Sequence, residues 1–209
     1  MIEGKKVYLK AVERKNLEQL RLWRNEEWLR KYFREYREIT ESMQKAWYEN
    51  NVAQNDKFVN FEIWAKRTAA DQIRIIKEFG APAQPIRVTD NSRDSLIGMC
   101  GLYYINFVNR TSEFAIYIGD VRFSRMGYGS DALRTLLKYG FEEMNLHRIW
   151  CEVYDGNGAI ELYKKLGFVQ EGTLRQHTYS GGKYMDSHIL GLLKEDWEKP
   201  KSDKQICHC

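Results

Sequence analysis

In VRFSRMGYGSDALRTLLKYGF, residues 121–141, the glycine-rich turn Met126-Gly127-Tyr128-Gly129 runs straight into apolar positions at Ala132, Leu133, Leu136, Leu137 and Phe141, continued at Met144. That spacing predicts a helix. Glycine lets the backbone take positive φ and approach a ligand closely. The N–H groups that open a helix have no partner inside it and carry the positive end of its dipole, so such a turn suits a phosphate or pyrophosphate. The donors would be the backbone N–H groups of Met126, Gly127, Tyr128, Gly129 and Ser130. A Gly-x-Gly before a helix also serves as a plain strand-to-helix turn, and the segment alone leaves both readings open.

The next residues extend the pattern. Arg148 to Tyr154 alternates like a strand, Asp155-Gly156-Asn157-Gly158 breaks it, and Ala159 to Leu166 reads as a short helix closed by Gly167. A further strand begins at Phe168, and a hairpin runs over 168–179 and 184–193 around Ser180-Gly181-Gly182.

SRMGYGSDA, NLHRIWCEV and NGAIELYKKLGFVQEG together resemble the acetyl-CoA-binding half of the Gcn5-related N-acetyltransferases. The nearest branch holds ribosomal-protein, spermidine and nucleotide-linked amino-sugar acetyltransferases. The resemblance is specific over roughly 95–195, looser over 5–50 and absent from about 66–90. It implies a mixed α/β (α+β) fold with a mostly antiparallel, splayed central sheet flanked by helices. It also implies acetyl-CoA as co-substrate, no metal, and transfer of acetyl to a primary amine by direct attack. The family's turn begins with Gln or Arg where this chain has Ser124, so Arg122 or Arg125 is expected to supply the positive charge.

Composition agrees with a folded enzyme. The chain has 209 residues, 43% hydrophobic and 30% charged, which sets it apart from disordered sequences. A net charge of +4 with both signs interspersed gives no Lys/Arg block dense enough for nucleic acid. Residues 1–5 lack the apolar core of a signal peptide and no run approaches a membrane span, so a cytoplasmic location without membrane contact is expected. Cys100 and Cys151 lie in apolar runs and read as buried thiols. Cys207-His208-Cys209 lacks the second ligand pair a structural zinc site wants.

Toward the N-terminus, residues 6–12 alternate as a strand, Asn16 to Trp23 reads as a helix, and Thr40-Glu41-Ser42-Met43-Gln44 opens a second helix carrying Met43, Ala46 and Trp47, with Ser or Thr as its cap. In the family this region walls the acceptor pocket, and the Trp-Arg-Asn and Ser-x-x-Gln-x-x-Trp patterns resemble the amino-sugar enzymes more than the polyamine enzymes. Trp23, Trp28, Tyr32, Phe33 and Tyr36 read as packing residues. Residues 58–65 alternate as a half-buried strand. Residues 68–79 read as a helix with Ile73, Ile76 and Phe79 on one face, inside an insertion over about 66–90 that also holds a short strand at 86–89. Strands follow at 96–102 and 111–118. One acetyltransferase domain over 1–198, a charged tail over 199–209 and a possible homodimer complete the expectation.

Acetyl transfer from a thioester needs a neutral amine, a stabilised oxyanion and a proton for the leaving thiolate. Glu113, at the head of the strand expected to line the cofactor, is the first candidate for the base, with Glu152 and Asp186 behind it. Tyr163 is the candidate acid, because a phenol with an ordinary pKa near ~10 holds its proton at neutral pH. By resemblance, main-chain groups of Ile116, Tyr117 and Ile118 pair with the pantetheine arm, while Arg125, Met126, Gly127, Tyr128, Gly129, Ser130 and Asn157 hold the rest of the cofactor. The acceptor is expected to be a nucleotide-linked amino sugar or another small amine, with a protein α-amine, a polyamine or an aminoglycoside as the alternatives. A non-catalytic acyl-CoA sensor is the reading from a different class.

Overall fold

The computed structural model describes residues 1–80 and 94–199. The expected strand at 86–89 and the Cys207-His208-Cys209 tail fall outside the described residues.

Eight strands form one sheet in the order β1-β2-β3-β4-β5-β6-β8-β7. They are β1 (Ile2–Glu3), β2 (Val7–Ala11), β3 (Val59–Lys66), β4 (Asp94–Asn106), β5 (Thr111–Ile118), β6 (Arg148–Tyr154), β7 (Val169–Ser180) and β8 (Lys183–Leu193). Every neighbouring pair is antiparallel except β5 with β6. That exception shapes the molecule. β5 pairs with β4 along nearly its whole length, from Asn106↔Thr111 to Gly98↔Ile118. It meets β6 only at Thr111↔Arg148, Ser112↔Ile149 and Glu113↔Trp150. Beyond that point β6 continues with β8 as far as Tyr154↔Ser187. The two parallel strands therefore part after Glu113, and from Phe114 to Ile118 the β6-facing edge of β5 has no strand partner.

Helices cover both faces. On one side α5 (Tyr128–Lys138) and α6 (Ala159–Leu166) press Leu133, Leu136, Leu137 and Leu166 onto Leu9, Ile63, Leu102, Phe114 and Ile149. On the other, α1 (Leu17–Asn25), α2 (Glu27–Arg30) and α3 (Glu41–Tyr48) bring Leu20, Trp23 and Leu29 against Trp64, Met99 and Tyr117. Of the two candidate caps, Thr40 serves: its side chain accepts from the Met43 N–H at 3.2 Å and caps α3. The hairpin turns through Gly181 and Gly182, both at positive φ, which suits a two-residue turn between right-twisted strands. Cys100 and Cys151 are free and buried.

Three expectations change. β3 is not half-buried, because as a central strand it is covered on both faces, and Asn60, Glu62 and Trp64 are buried along with Ile63 and Ala65. Trp28, Tyr32 and Tyr36 are exposed, whereas Trp23 is buried. In the inserted helix α4 (Ala69–Phe79), opened by a Thr68/Asp71 capping box, Ile75 is buried and Ile73, Ile76 and Phe79 are exposed. Asp71 hydrogen-bonds the Tyr128 side chain at the start of α5, and that contact together with Ile75 sets the rotation of α4.

Glu62 is 1% exposed, and its carboxylate accepts from Glu13 N (2.9 Å), Asn16 Nδ2 (2.9 Å to each oxygen) and Trp64 Nε1 (2.8 Å). These bonds tie the chain before α1 to β3. Burial raises the carboxyl pKa while the hydrogen bonds pull against it. Glu62→Gln offers one acceptor oxygen in place of two and turns an NH2 toward a donor. A loss of about 1–3 kcal/mol is expected for a buried donor left unpaired. Urea denaturation measures it, and an unchanged midpoint would show that the network carries no net stability.

Candidate active site

Alternation along β5 divides its side chains between the two faces. Phe114, Ile116 and Ile118 join the core under α5 and α6, while Tyr117 joins the cluster under α1 to α3. Glu113, Ala115 and Tyr117 thus share the second face, and Ala115 is exposed there. The unpaired edge of β5 runs beside this row.

The glycine turn lies at the same end of β5. Gly127 has φ +83° and caps α5, and a Cβ on Gly129 would lie 3.5 Å from Ile118 Cγ1, so the helix start abuts the end of the strand. Gly127 needs the left-handed conformation that side chains resist. Asp131, in the first turn of α5, accepts from the backbone N–H of Lys6 (2.6 Å) and Val7 (3.2 Å) and anchors the helix to β2. Lys6 Nζ donates to the Met126 carbonyl at 3.0 Å and sits 5.4 Å from the Tyr128 ring centroid, placing a cation beside the turn. Met126 and Tyr128 are buried in the core. Arg125 is exposed with φ +58°. Arg122 is committed elsewhere, since its Nε and Nη2 grip Asp120 at 2.8 and 2.6 Å.

Glu113 is 8% exposed and is engaged by Arg34, whose Nη2 lies 2.7 Å from Oε1 and Nη1 3.3 Å from Oε2. The same Nη2 reaches Glu152 Oε2 at 2.8 Å, and His177 Nε2 lies 3.7 Å from the other Glu152 oxygen. Burial would lower the Arg34 pKa, but hydrogen bonds and charge from Glu113 and Glu152 outweigh it and raise it. Two of the three candidate bases therefore stand together under one guanidinium. The third does not: Asp186 accepts from the Gln176 N–H at 2.8 Å and serves the β7–β8 hairpin.

Tyr163 is buried, with its ring edge-on to Phe114 at 5.2 Å and tilted against Phe168 at 5.9 Å. Burial pushes its hydroxyl well above the ordinary phenol value, so it stays protonated. Asn157 Oδ1 accepts from the Ala159 N–H at 3.0 Å and starts α6.

A cavity of about 300 Å³ lies between α1, α3 and the sheet, with Arg24, Phe33, Asn51, Tyr103, Ala115 and Tyr117 in its wall. A bulge in β4 after Tyr103, where Tyr104 takes φ +53°, turns both tyrosines toward it. Sequence reasoning missed Arg34, Arg24 and the Tyr117 side chain. Only the basic and aromatic run at 28–36 hinted at the first. Among the described residues no group of three His, Cys, Asp or Glu side chains is gathered as a metal site, and no helix is long and apolar enough to cross a membrane.

A sheet splayed between two parallel strands, with a glycine-opened helix start at the fork, is a geometry that suits an extended, phosphate-bearing ligand. Residues 6–169 match the model of the acetyltransferase (GNAT) domain. The chain belongs to this family and is an acetyl-CoA-dependent N-acetyltransferase. It is 31% identical over 132 residues to the uncharacterized N-acetyltransferase p20 of Bacillus licheniformis, covering 62% of this chain and 74% of that one. Spermidine N(1)-acetyltransferase of Vibrio cholerae is 32% identical over 111 residues, 53% of this chain and 64% of the relative. The crystal structure of spermidine N-acetyltransferase from Vibrio cholerae in complex with CoA and spermine superposes with a TM-score of 0.73 at 24% identity, over 92% of this chain and 98% of that one. That likeness concerns the fold.

Proposed function

We propose that the protein transfers the acetyl group of acetyl-CoA to the primary amine of a small molecule by direct attack. The observation that carries the reading is the unpaired edge of β5 beside the start of α5. Main-chain groups of Ile116, Tyr117 and Ile118 would hold the pantetheine arm. The N–H groups of Met126, Gly127, Tyr128, Gly129 and Ser130, with Arg125 and Lys6 nearby, would hold the pyrophosphate. The Asn157 amide nitrogen would add a donor at the start of α6. Acetyl-CoA supplies an activated acyl group. Glu113 removes the proton from the attacking ammonium, directly or through water, and Tyr163 protonates the leaving thiolate. The named relatives include polyamine enzymes, and none supports a nucleotide-linked amino sugar as acceptor.

Incubation with acetyl-CoA and a pooled panel of small amines and peptides, read by mass spectrometry, tests the function. Acetylated product in one amine class supports it. Bound acetyl-CoA without any product would favour a sensor.

The phosphate cradle has its own test. In Gly129→Asp the new Cβ makes only ordinary contact with Ile118, and an acid near a helix start is favourable for the fold. The carboxylate would stand against the pyrophosphate, so acetyl-CoA affinity is expected to fall about 10- to 100-fold, the scale of an uncompensated charge contact. Calorimetry reads the Kd. Unchanged affinity would remove this turn from the site.

A further inference from the structure

We infer that the acceptor carries an anionic group besides its amine, a carboxylate or phosphoryl, and that Arg24 and Tyr117 bind it in the cavity between α1, α3 and the sheet. The inference rests on the acetyltransferase reading above and narrows its acceptor.

Arg24 lies in the last turn of α1 with its guanidinium 5.0 Å over the Phe33 ring. Its Nε is buried without a hydrogen-bond partner, and among the described residues no carboxylate pairs with it, whereas Arg122 and Arg148 each hold one and Arg34 holds two. Across the same cavity Tyr117 is 8% exposed, and its hydroxyl is likewise buried and unpartnered. Phe33 fixes both groups, since it also meets the Tyr117 ring edge-on at 5.4 Å. A buried donor without an acceptor is costly, and two in the wall of one cavity call for a ligand that accepts. A planar guanidinium suits carboxylate and phosphoryl oxygens.

The lining argues against a polycation. No carboxylate lines the cavity, Glu62 on the same face of the sheet is saturated by its own donors, and Glu113 is held by Arg34. An entering ammonium would meet the charge of Arg24 in the wall itself, while Glu62 and Glu113 act from outside the lining and are already held by their own partners. The cavity also touches the chemistry. Ala115, exposed on the unpaired stretch of β5, lies in its wall, so an acceptor anchored at Arg24 extends its amine toward the fork.

The test uses matched acceptors with saturating acetyl-CoA: γ-aminobutyrate against 1,4-diaminobutane, glycine against glycinamide, and glucosamine 6-phosphate against glucosamine. The anionic member of at least one pair is expected to show kcat/KM at least about tenfold higher, the scale of a charge-assisted hydrogen bond. Arg24→Gln should collapse that ratio toward one, mainly through KM, and Arg24→Lys should keep part of it. Tyr117→Phe keeps the ring contact with Phe33 and should raise KM for the anionic acceptor several-fold. Acetyl-CoA affinity, which rests on main-chain groups of β5 and the start of α5 and so on neither the Arg24 guanidinium nor the Tyr117 hydroxyl, checks that each variant is folded. Acetylation with no anion preference, or a preference that Arg24→Gln leaves intact, overturns this inference alone. Failure to acetylate any amine overturns the proposed function and the inference with it.

Discussion

Replacing Tyr163 with Phe is expected to lower kcat by about 10²- to 10⁴-fold, the usual contribution of a positioned general acid, and to leave acetyl-CoA affinity nearly intact. Tyr163 makes its packing contacts through the ring, edge-on to Phe114 and tilted against Phe168, and phenylalanine preserves both. The lost atom is the hydroxyl. Burial pushes its pKa above the ordinary value of 10, so the protonated form needed to quench a thiolate persists at alkaline pH. The wild-type profile should therefore show no loss from this group until the pH passes that ordinary value. Stopped-flow measurement of thiol release reads kcat, and fluorescence titration reads affinity. A variant with wild-type kcat would leave Tyr163 as a packing residue and require another proton source.

The second large effect is expected at Glu113. Glu113→Gln keeps the shape and a hydrogen-bonding oxygen for Arg34 but cannot take a proton, and kcat/KM near neutral pH should fall by about 100-fold or more. The loss should shrink as the pH nears that of the free amine, because an acceptor already neutral needs no base. A deficit constant across the profile would instead point to a misplaced Arg34. Arg34 bridges Glu113 to Glu152 at 2.7 and 2.8 Å, so service of Glu113 as the base would require the guanidinium to loosen. Arg34 can do so, since its side chain is half exposed, whereas those of the two glutamates are each 10% exposed.

Much of the fold was legible from local signals. α5 and α6 carry helical spacing between glycines, and Gly127 and Gly167 both take positive φ at the ends those glycines mark. The β7–β8 hairpin was readable from its turn, because Gly181-Gly182 sets the register from Ser180↔Lys183 to Thr178↔Met185, beyond which two irregularities shift it. β3 misled because alternation predicts a wet face only when one side of the strand is open, and this strand is covered twice. The α4 stripe misled for a related reason: the contact between Asp71 and Tyr128 spans the chain and sets the rotation of the helix. In the site the glycine turn and the neighbouring strand could be marked in advance. The bridge from Arg34 to Glu113 and Glu152 joins residues 79 and 118 positions apart, so no local pattern announces it. The Tyr117 side chain was hidden as well, since a tyrosine in an apolar strand looks the same whether its hydroxyl is satisfied or waiting for a ligand.

The fork between β5 and β6 also bears on solubility. An unpaired strand edge ordinarily recruits a strand from another molecule and seeds aggregation. Here the open stretch from Phe114 to Ile118 lies inside the sheet, closed at its base by the pairs that end at Glu113↔Trp150 and roofed by α5 and α6. A polypeptide strand would bring a side chain against that roof at every second residue, whereas a slender unbranched chain would not. The fork would thus favour a small extended molecule over a strand from another protein.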